Sequence, residues 1–194
     1  MSGPNVEKYA YNPERAKQLL AQAGLAQGFR TTFWHSTGRY SGDTVVAQAI
    51  QGYLRQVGIE AELRTGDLSA WASAMRGTAP DKPTAPMYLR GWGVRGDPDD
   101  HIFVLYHSKN WGIAGNYARY SNAEVDRLLE EAQRGVSREN RKPLYQQAEE
   151  IITREAPVCA LYDNVRLLAY SKKLRDAQIG PREYQFFDKA WLDQ

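Results

Sequence analysis

The chain has 194 residues, of which 42% are hydrophobic and 25% are charged, a composition typical of a globular protein that can bury a sizeable core. Its 25 basic and 23 acidic side chains give a formal net charge of +2, and their interleaving leaves no basic stripe that would favour nucleic acid as a partner. No stretch approaches the roughly 20 apolar residues of a membrane-spanning helix, and the first residues lack the pattern of a secretory signal peptide.

The first half of the chain predicts strands that alternate with helices. Asn12 is the expected N-cap of a helix that ends at Gly24, and "FRTTFWHST" (29–37) predicts a strand. Asp43 is then expected to cap a long amphipathic helix, which leads into a strand in "IEAELRTGD". A short helix in "LSAWASAMRG", a proline-rich loop and a third strand in "MYLRGWG" follow. This alternation predicts an α/β layer with parallel neighbouring strands.

The second half predicts two helices and then a buried segment. "SNAEVDRLLEEAQRG" begins at a cap provided by Ser121 or Asn122, and "SRENRKPLYQQAEEIITREA" begins at Ser137, with Pro143 in its first turns or at a kink. "VCALYDNVRLLAYSKKL" predicts a buried strand and its continuation, in which Cys159 is a small buried hydrophobe. The aromatic end, "YQFFDKAWLDQ", is expected to dock on the rest of the fold.

Six segments, in order and at the right separations, resemble one family. They are "YNPERAKQLLAQAG", "QVGIEAEL", "GWGVRGDPDD", "YSNAEVDRLLEEA", "RENRKPLYQQAEEIITREAPVCALY" and "AYSKKL". Together they resemble the C-terminal lobe of family 5 extracytoplasmic solute-binding proteins, the dipeptide, oligopeptide and nickel-type receptors of ABC importers. The resemblance extends from about Tyr11 to the end of the chain.

The resemblance implies a fold, a division of the chain and a set of partners. The implied fold is one lobe of a type II periplasmic-binding-protein fold, a mixed sheet flanked by helices, with C-terminal strands that return to the other lobe. Residues 1–10 are interpreted as a tag or linker, 11–165 as the lobe and 166–194 as the returning segment. The implied partners are a small-molecule or peptide ligand, an ABC transporter permease and a missing N-terminal lobe. The parent protein would be periplasmic or otherwise extracytoplasmic, and the returning segment is expected to expose apolar surface or to self-associate.

In the family, the strand that ends at Gly91 and Trp92 delivers a loop to the cleft between the lobes. The resemblance therefore implies a ligand site at Gly91, Trp92, Gly93, Val94 and Arg95, where tryptophan flanks the ligand and glycine permits close backbone approach. A structural role for Trp92 in the core is the alternative.

Peptide receptors of the family place an aspartate just after the Gly-Trp pair, but this chain has Gly93-Val94-Arg95 there. A cation at that position would attract a carboxylate or phosphate and would repel a ligand's free amine. Alternatively, Arg95 pairs with Asp97 or Asp99 on a solvated face. Both acids are themselves interpreted as helix caps around Pro98.

A second candidate site is the loop after the first strand. Arg39 and Tyr40 there resemble an arginine and a tyrosine that hold the ligand's carboxylate in some dipeptide receptors, and an ordinary exposed loop is the alternative. Catalysis is not expected, because the chain lacks a nucleophile elbow, a phosphate loop and a dinucleotide fingerprint. No cofactor is implied, and His35, His101 and His107 lack the spacing of metal ligands on one helix face.

The favoured interpretation is thus a partial solute-binding domain that captures a peptide-like or other small solute, with an anionic solute among the alternatives, without reacting with it. One alternative is the ligand-sensing tail of a cytoplasmic transcription regulator. Another is a structural or self-associating lobe that binds no ligand.

Overall fold

The computed structural model describes residues 5–77, 85–93, 96–112, 115–165, 169–180 and 185–193. The helices in these ranges are α1 (Pro13–Gln22), α2 (Asp43–Gln56), α3 (Leu68–Arg76), α4 (Ile102–Tyr106), α5 (Ala123–Arg134) and α6 (Arg138–Glu155). The strands are β1 (Phe29–Ser36), β2 (Ile59–Gly66), β3 (Met87–Tyr88), β4 (Leu174–Arg175), β5 (Gln178–Ile179), β6 (Gln185–Phe186) and β7 (Trp191–Leu192). Among the described helices, none combines the length and the apolar composition that crossing a membrane requires.

The central sheet has the strand order β2-β1-β3, with both pairings parallel. β1 pairs with β2 along its whole length, from Phe29 opposite Ile59 to Ser36 opposite Gly66. The predicted parallel α/β arrangement is therefore confirmed. The third strand is shorter than expected, because only two of its residues pair with β1. Parallel strands end at the same edge of a sheet, so the loops that follow β1 and β3 leave the sheet side by side.

Each face of the sheet is covered by a different part of the chain. Alternate residues of β1 point to opposite faces, and on one of them Phe33 packs with Ala61 of β2 and Ala47 of α2. On the other face, a cluster formed by α3 and the segment after α4 covers the carboxyl end of β1. Its buried members are Trp71, Met75 and Tyr117.

A second hydrophobic core lies between α5 and α6. Its buried members recur at helical spacing on the facing sides of the two helices: Val125, Leu128, Leu129, Ala132, Tyr145, Ala148 and Ile152, joined by Tyr120. The predicted limits of both helices are confirmed. Asn122 is the cap of α5 because its side-chain oxygen accepts from Glu124 N at 3.0 Å and Val125 N at 3.2 Å. Ser137 caps α6, and Pro143 lies inside that helix.

The predicted capping role of Asp43 is wrong. Gly42, with a φ of 75°, is the N-cap of α2, and Asp43 is the first helical residue. The reason is that the Asp43 carboxylate accepts hydrogen bonds from the backbone of the preceding loop, at Arg39 N and Tyr40 N. The N-cap predicted for α1 is confirmed, since Asn12 Oδ1 accepts from Arg15 N at 2.9 Å.

An N-terminal segment, residues 5–11, crosses from α6 to α2. Asn5 N donates to Glu150 Oε1 at 3.4 Å, and Tyr9 Oη donates to the Arg154 carbonyl at 3.0 Å. At its other end Tyr11 Oη donates to Gln56 Oε1 at 2.8 Å. These contacts fix most of the region interpreted as a tag or linker against the two longest helices; the interpretation itself remains a prediction.

Three predictions for the C-terminal third are wrong. Residues 158–165 form no strand and are exposed, and Cys159, expected in a core, is exposed as well. The aromatic end does not dock, since Phe186 is 50% and Trp191 is 51% exposed. It forms only two-residue ladders, β4 with β7 and β5 with β6. These segments have the apolar pattern that predicts burial, but no described part of the chain covers them.

Candidate ligand-binding site

The loop after β1 is shaped by the buried carboxylate of Asp43. Asp43 Oδ2 accepts from Ser36 Oγ at 3.1 Å, from Arg39 N at 3.2 Å and from Tyr40 N at 3.4 Å, and Oδ1 accepts from Thr44 N at 2.9 Å. Burial opposes ionisation, but these hydrogen bonds outweigh it and lower the pKa of Asp43. The carboxylate thus fixes the backbone from which Arg39 and Tyr40 project.

The loop after β1 meets the segment after β3 at Gly91. Tyr40 Oη donates to the Gly91 carbonyl at 3.2 Å. A Cβ at Gly91 would lie 2.7 Å from Tyr40 Cε1, so only glycine admits this ring without a shift. The guanidinium of Arg39 lies 4.9 Å from the centroid of the same ring. The two segments that the sequence singled out separately are therefore in contact.

Trp92 is half-buried, and its indole is held in one orientation. Trp92 Nε1 donates to the Asp100 carbonyl at 2.9 Å. Gly115 lies near the edge of the ring, since a Cβ there would come within 3.3 Å of Trp92 Cη2. The side chain is thus neither fully in the core nor free, and both roles considered for Trp92 remain predictions. Gly93 is exposed, with open space at its Cα.

Two predicted site residues, Val94 and Arg95, lie outside the described residues, so their roles also remain predictions. The structure does describe Asp97, one of the acids considered as a partner for Arg95. Its carboxylate accepts from Asp99 N at 3.0 Å, as expected of a cap, and also from Arg141 Nη2 at 2.6 Å. Asp99 accepts from Tyr145 Oη at 2.6 Å. These bonds attach the turn to α6, and the capping interpretation of Asp97 is confirmed.

Arg90 is a site residue that the sequence reasoning missed. Its Cζ lies 4.5 Å from the centroid of the Trp92 ring and 4.5 Å from that of Tyr117. Burial lowers its pKa, and burial raises the pKa of the neighbouring Tyr88 to about 12 against the opposing charge of Arg90. Strand periodicity could have found Arg90. Tyr88, Arg90 and Trp92 are every second residue of an extended segment, and such residues lie on the same side of it.

Tyr117 is held beside Arg90 by two contacts. Its ring packs edge-on against Tyr88 at a centroid distance of 6.4 Å, and Arg119 ties the same segment to α3 by donating to the Arg76 carbonyl at 2.8 Å. We call the whole arrangement the rim cluster. Its members are Arg39, Tyr40, Arg90, Gly91, Trp92 and Tyr117.

The three histidines lie apart and have structural contacts. His35 is buried, with Nδ1 2.8 Å from the Ser36 carbonyl. His107 is buried with its Nε2 3.4 Å from Glu130 Oε1, and its ring packs at a tilt against Phe103, with a centroid distance of 4.4 Å. Within the described ranges, no group of three or more His, Cys, Asp or Glu side chains is arranged to hold a metal ion.

Two surface depressions lie away from the rim cluster. One runs along the amino-terminal half of the sheet and is lined by charged side chains such as Arg30 and Glu60. The other lies between Gly96 and the first turn of α6. The rim cluster lies at the carboxyl edge of the sheet, where β1 and β3 end.

Comparison with known proteins gives consistent results. The family model for bacterial extracellular solute-binding proteins, family 5, matches residues 2–113. The glutathione-binding protein GsiB of Salmonella paratyphi A is 32% identical over 188 residues, 96% of this chain and 36% of that protein.

Solved structures are similar over most of the chain. One is the ABC transporter-associated periplasmic binding protein DppA of Helicobacter pylori in complex with the peptide STSA. It superposes with a TM-score of 0.71 and 28% sequence identity, and the match covers 80% of this chain and 29% of the DppA chain. Another is the oligopeptide-binding protein AppA of Bacillus subtilis in complex with a nonapeptide. Its TM-score is 0.79 at 25% sequence identity, and the match covers 97% of this chain and 39% of the AppA chain. The chain thus spans about a third of the length of these relatives.

Proposed function

Because the chain belongs to family 5 of the bacterial extracellular solute-binding proteins, we propose that it is one part of a receptor that captures a small solute, with the rim cluster as part of the cleft wall. The family consists of binding proteins, and the fold is one lobe of a type II periplasmic-binding-protein fold. The observation that carries the proposal is the contact between Tyr40 and Gly91. It joins two loops at the carboxyl ends of neighbouring parallel strands, where open α/β sheets bind ligands.

The proposed ligand is peptide-like. The relatives named above bind glutathione, the peptide STSA and a nonapeptide. In our proposal the Trp92 indole lies beside the ligand, and Gly91 and Gly93 let its backbone approach closely. Val94, Arg95 and Arg39 are proposed to contact it as well. The receptor works by enclosing the solute between two lobes, without a chemical step.

The second lobe is proposed to belong to a longer parent protein. Support comes from the span of the match, about a third of each relative, and from apolar side chains left exposed at one end of the chain. Val158, Leu161, Tyr162, Phe186, Phe187, Trp191 and Leu192 are each at least 47% exposed. We propose that residues 166–194 return to that lobe, that the parent is extracytoplasmic and that it delivers the solute to an ABC transporter permease.

A matched pair of tryptophan variants tests the proposed function. Trp92 and Trp111 are both half-buried, and each indole donates to a backbone carbonyl, at 2.9 Å and 2.7 Å. In the longer parent, Trp92→Ala is expected to lower the affinity for glutathione or trialanine at least tenfold, whereas Trp111→Ala only lowers stability. Isothermal titration and thermal unfolding measure the two effects. Equal affinity in both variants would contradict a cleft role for Trp92.

The isolated chain is expected to bind far more weakly than the parent. A formed pocket usually buries about 70% or more of a small ligand's surface, and this chain provides only one wall. Submicromolar binding of a peptide by the 194-residue chain alone would overturn the proposal of a shared cleft. Size-exclusion chromatography of the same sample tests whether the exposed aromatic end instead drives self-association.

A further inference from the structure

Arg90 carries a positive charge that the described chain does not neutralise. Among the described residues Arg90 forms no ion pair, and its buried Nη1 has no hydrogen-bond partner. Other arginines contrast with it. Arg141, Arg127 and Arg175 each donate to a carboxylate, with distances of 2.6 to 2.8 Å for their shortest bonds. Arg90 therefore differs from these arginines, whose charges are paired.

The surroundings of Arg90 are aromatic and phenolic. Besides the rings of Trp92 and Tyr117, the groups that influence its charge are Tyr40 and Tyr88, and the other cation is Arg76. A ring face attracts a cation, but it leaves the in-plane N–H donors of a guanidinium without oxygen acceptors. A buried charged donor without an acceptor destabilises the structure. Binding of an anion at this point would remove that penalty.

The position of Arg90 relates this charge to the candidate site. It directly precedes Gly91, whose carbonyl accepts from Tyr40, and its guanidinium contacts the Trp92 ring. The aromatic contacts restrict the side chain, so less conformational entropy is lost when it binds. A planar guanidinium held in this way matches the two oxygens of a carboxylate.

We propose that Arg90 is the residue of the rim cluster that recognises a carboxylate of the bound solute. This inference rests on the proposed receptor function, and it names the charge that the solute must carry. It depends on geometry described here and not on Arg95. A free carboxylate would accept from the guanidinium of Arg90, while Trp92 and Tyr117 keep the cation in place.

The test uses trialanine with a free C-terminal carboxylate and trialanine with a C-terminal amide, which differ at that group alone. Each peptide is titrated into the isotopically labelled 194-residue chain while the Trp92 indole N–H and the Arg90 Nε–H are followed by NMR. The signals are assigned from Trp92→Phe and Arg90→Gln. We expect the acid to bind about tenfold or more tightly than the amide, because a charge-assisted hydrogen bond is lost in the amide.

Variants separate recognition of the carboxylate from a structural role. Arg90→Gln is expected to bring the affinity ratio of acid to amide close to one, and Arg90→Lys to retain part of the preference, since it keeps the charge without the fork. Arg134→Gln removes the same charge from an exposed side chain of α5 and should leave the ratio unchanged. Addition of salt should reduce the preference of the unsubstituted chain.

Four outcomes would overturn the inference. If the unsubstituted chain binds both peptides equally, or if Arg90→Gln keeps its preference, the receptor function stands and Arg90 does not recognise the carboxylate. The same holds if Arg90→Gln weakens both peptides by one factor, which indicates a structural role. If neither peptide shifts a rim-cluster signal, the ratio of the two affinities is measured in the longer parent. Equal affinities there reject the role of Arg90, and absence of binding there rejects the receptor function as well.

Discussion

The contact between Tyr40 and Gly91 allows a quantitative prediction. A methyl group at Gly91 would lie 2.7 Å from Tyr40 Cε1 and 2.9 Å from Cζ, whereas carbon atoms pack best at about 3.5–4.0 Å. In Gly91→Ala the ring must therefore move by about 1 Å, which breaks the 3.2 Å hydrogen bond from Tyr40 Oη. That bond is worth about 0.5–1.5 kcal/mol.

The backbone conformation at Gly91 partly offsets this loss of stability. Its φ is not in the left-handed region, so alanine is allowed there and stabilises by about 0.4–1 kcal/mol through the unfolded state. With crowding of the ring added, we expect Gly91→Ala to lower the free energy of unfolding by about 1 kcal/mol. In a Tyr40→Ala background there is no ring to displace, and the same change should be neutral or stabilising. The expected coupling energy is about 1–2 kcal/mol.

Urea unfolding of the four proteins in this double-mutant cycle measures the coupling. Gly93→Ala is the matched control, because nothing lies within 4 Å of a Cβ there, and it should change the free energy of unfolding by the same amount in both backgrounds. A coupling below about 0.3 kcal/mol, the usual error of additivity, would refute contact between the two loops. The proposal of a single rim cluster would then fail with it.

Three further predictions concern side chains that hold the site and the core. Asp43→Ala should lower stability by about 2–4 kcal/mol, because it leaves several donors to a buried carboxylate unpaired; thermal unfolding shows this. The hydrogen bonds from Arg141 are the largest cause of the lowered pKa of Asp97. The ionised carboxylate therefore stabilises the folded state fully above the ordinary pKa of about 3.9, and this stabilisation is lost as the pH falls through the folded-state pKa. Asp97→Asn should flatten that acid loss in urea unfolding, and an unchanged pH profile would refute the assignment. Leu129→Ala, in the core between α5 and α6, should reduce stability by about 2–5 kcal/mol without selectively affecting ligand binding.

Local signals in the sequence predicted most of the helices and strands. Asn12, Asn122 and Ser137 begin helices because each side chain reaches a backbone N–H within its own first turn. The parallel pairing of β1 with β2 follows from the helix between them. The prediction that Asp43 caps α2 was wrong because its carboxylate accepts from the loop that precedes the helix. The residue type alone does not specify which backbone groups the carboxylate binds.

Features that depend on distant contacts were not predictable. An apolar run such as 158–165 indicates that something should cover it, but not whether that partner is within the same chain. The contact between Tyr40 and Gly91 joins residues 51 positions apart, so separate motifs indicated both loops without showing that they meet. The likeness to a family connected them, whereas Arg90 became visible only when its neighbours were placed around it.

The N-terminal segment has a consequence for how the protein is made. Residues 5–11 contact the carboxyl-terminal half of α6, up to 146 positions away along the chain. During synthesis on the ribosome these early residues must therefore wait until α6 has emerged, while β1, α2 and β2 already have their partners. Contacts of such sequence separation slow folding. The order of assembly thus begins at the sheet and ends when residues 5–11 reach α6.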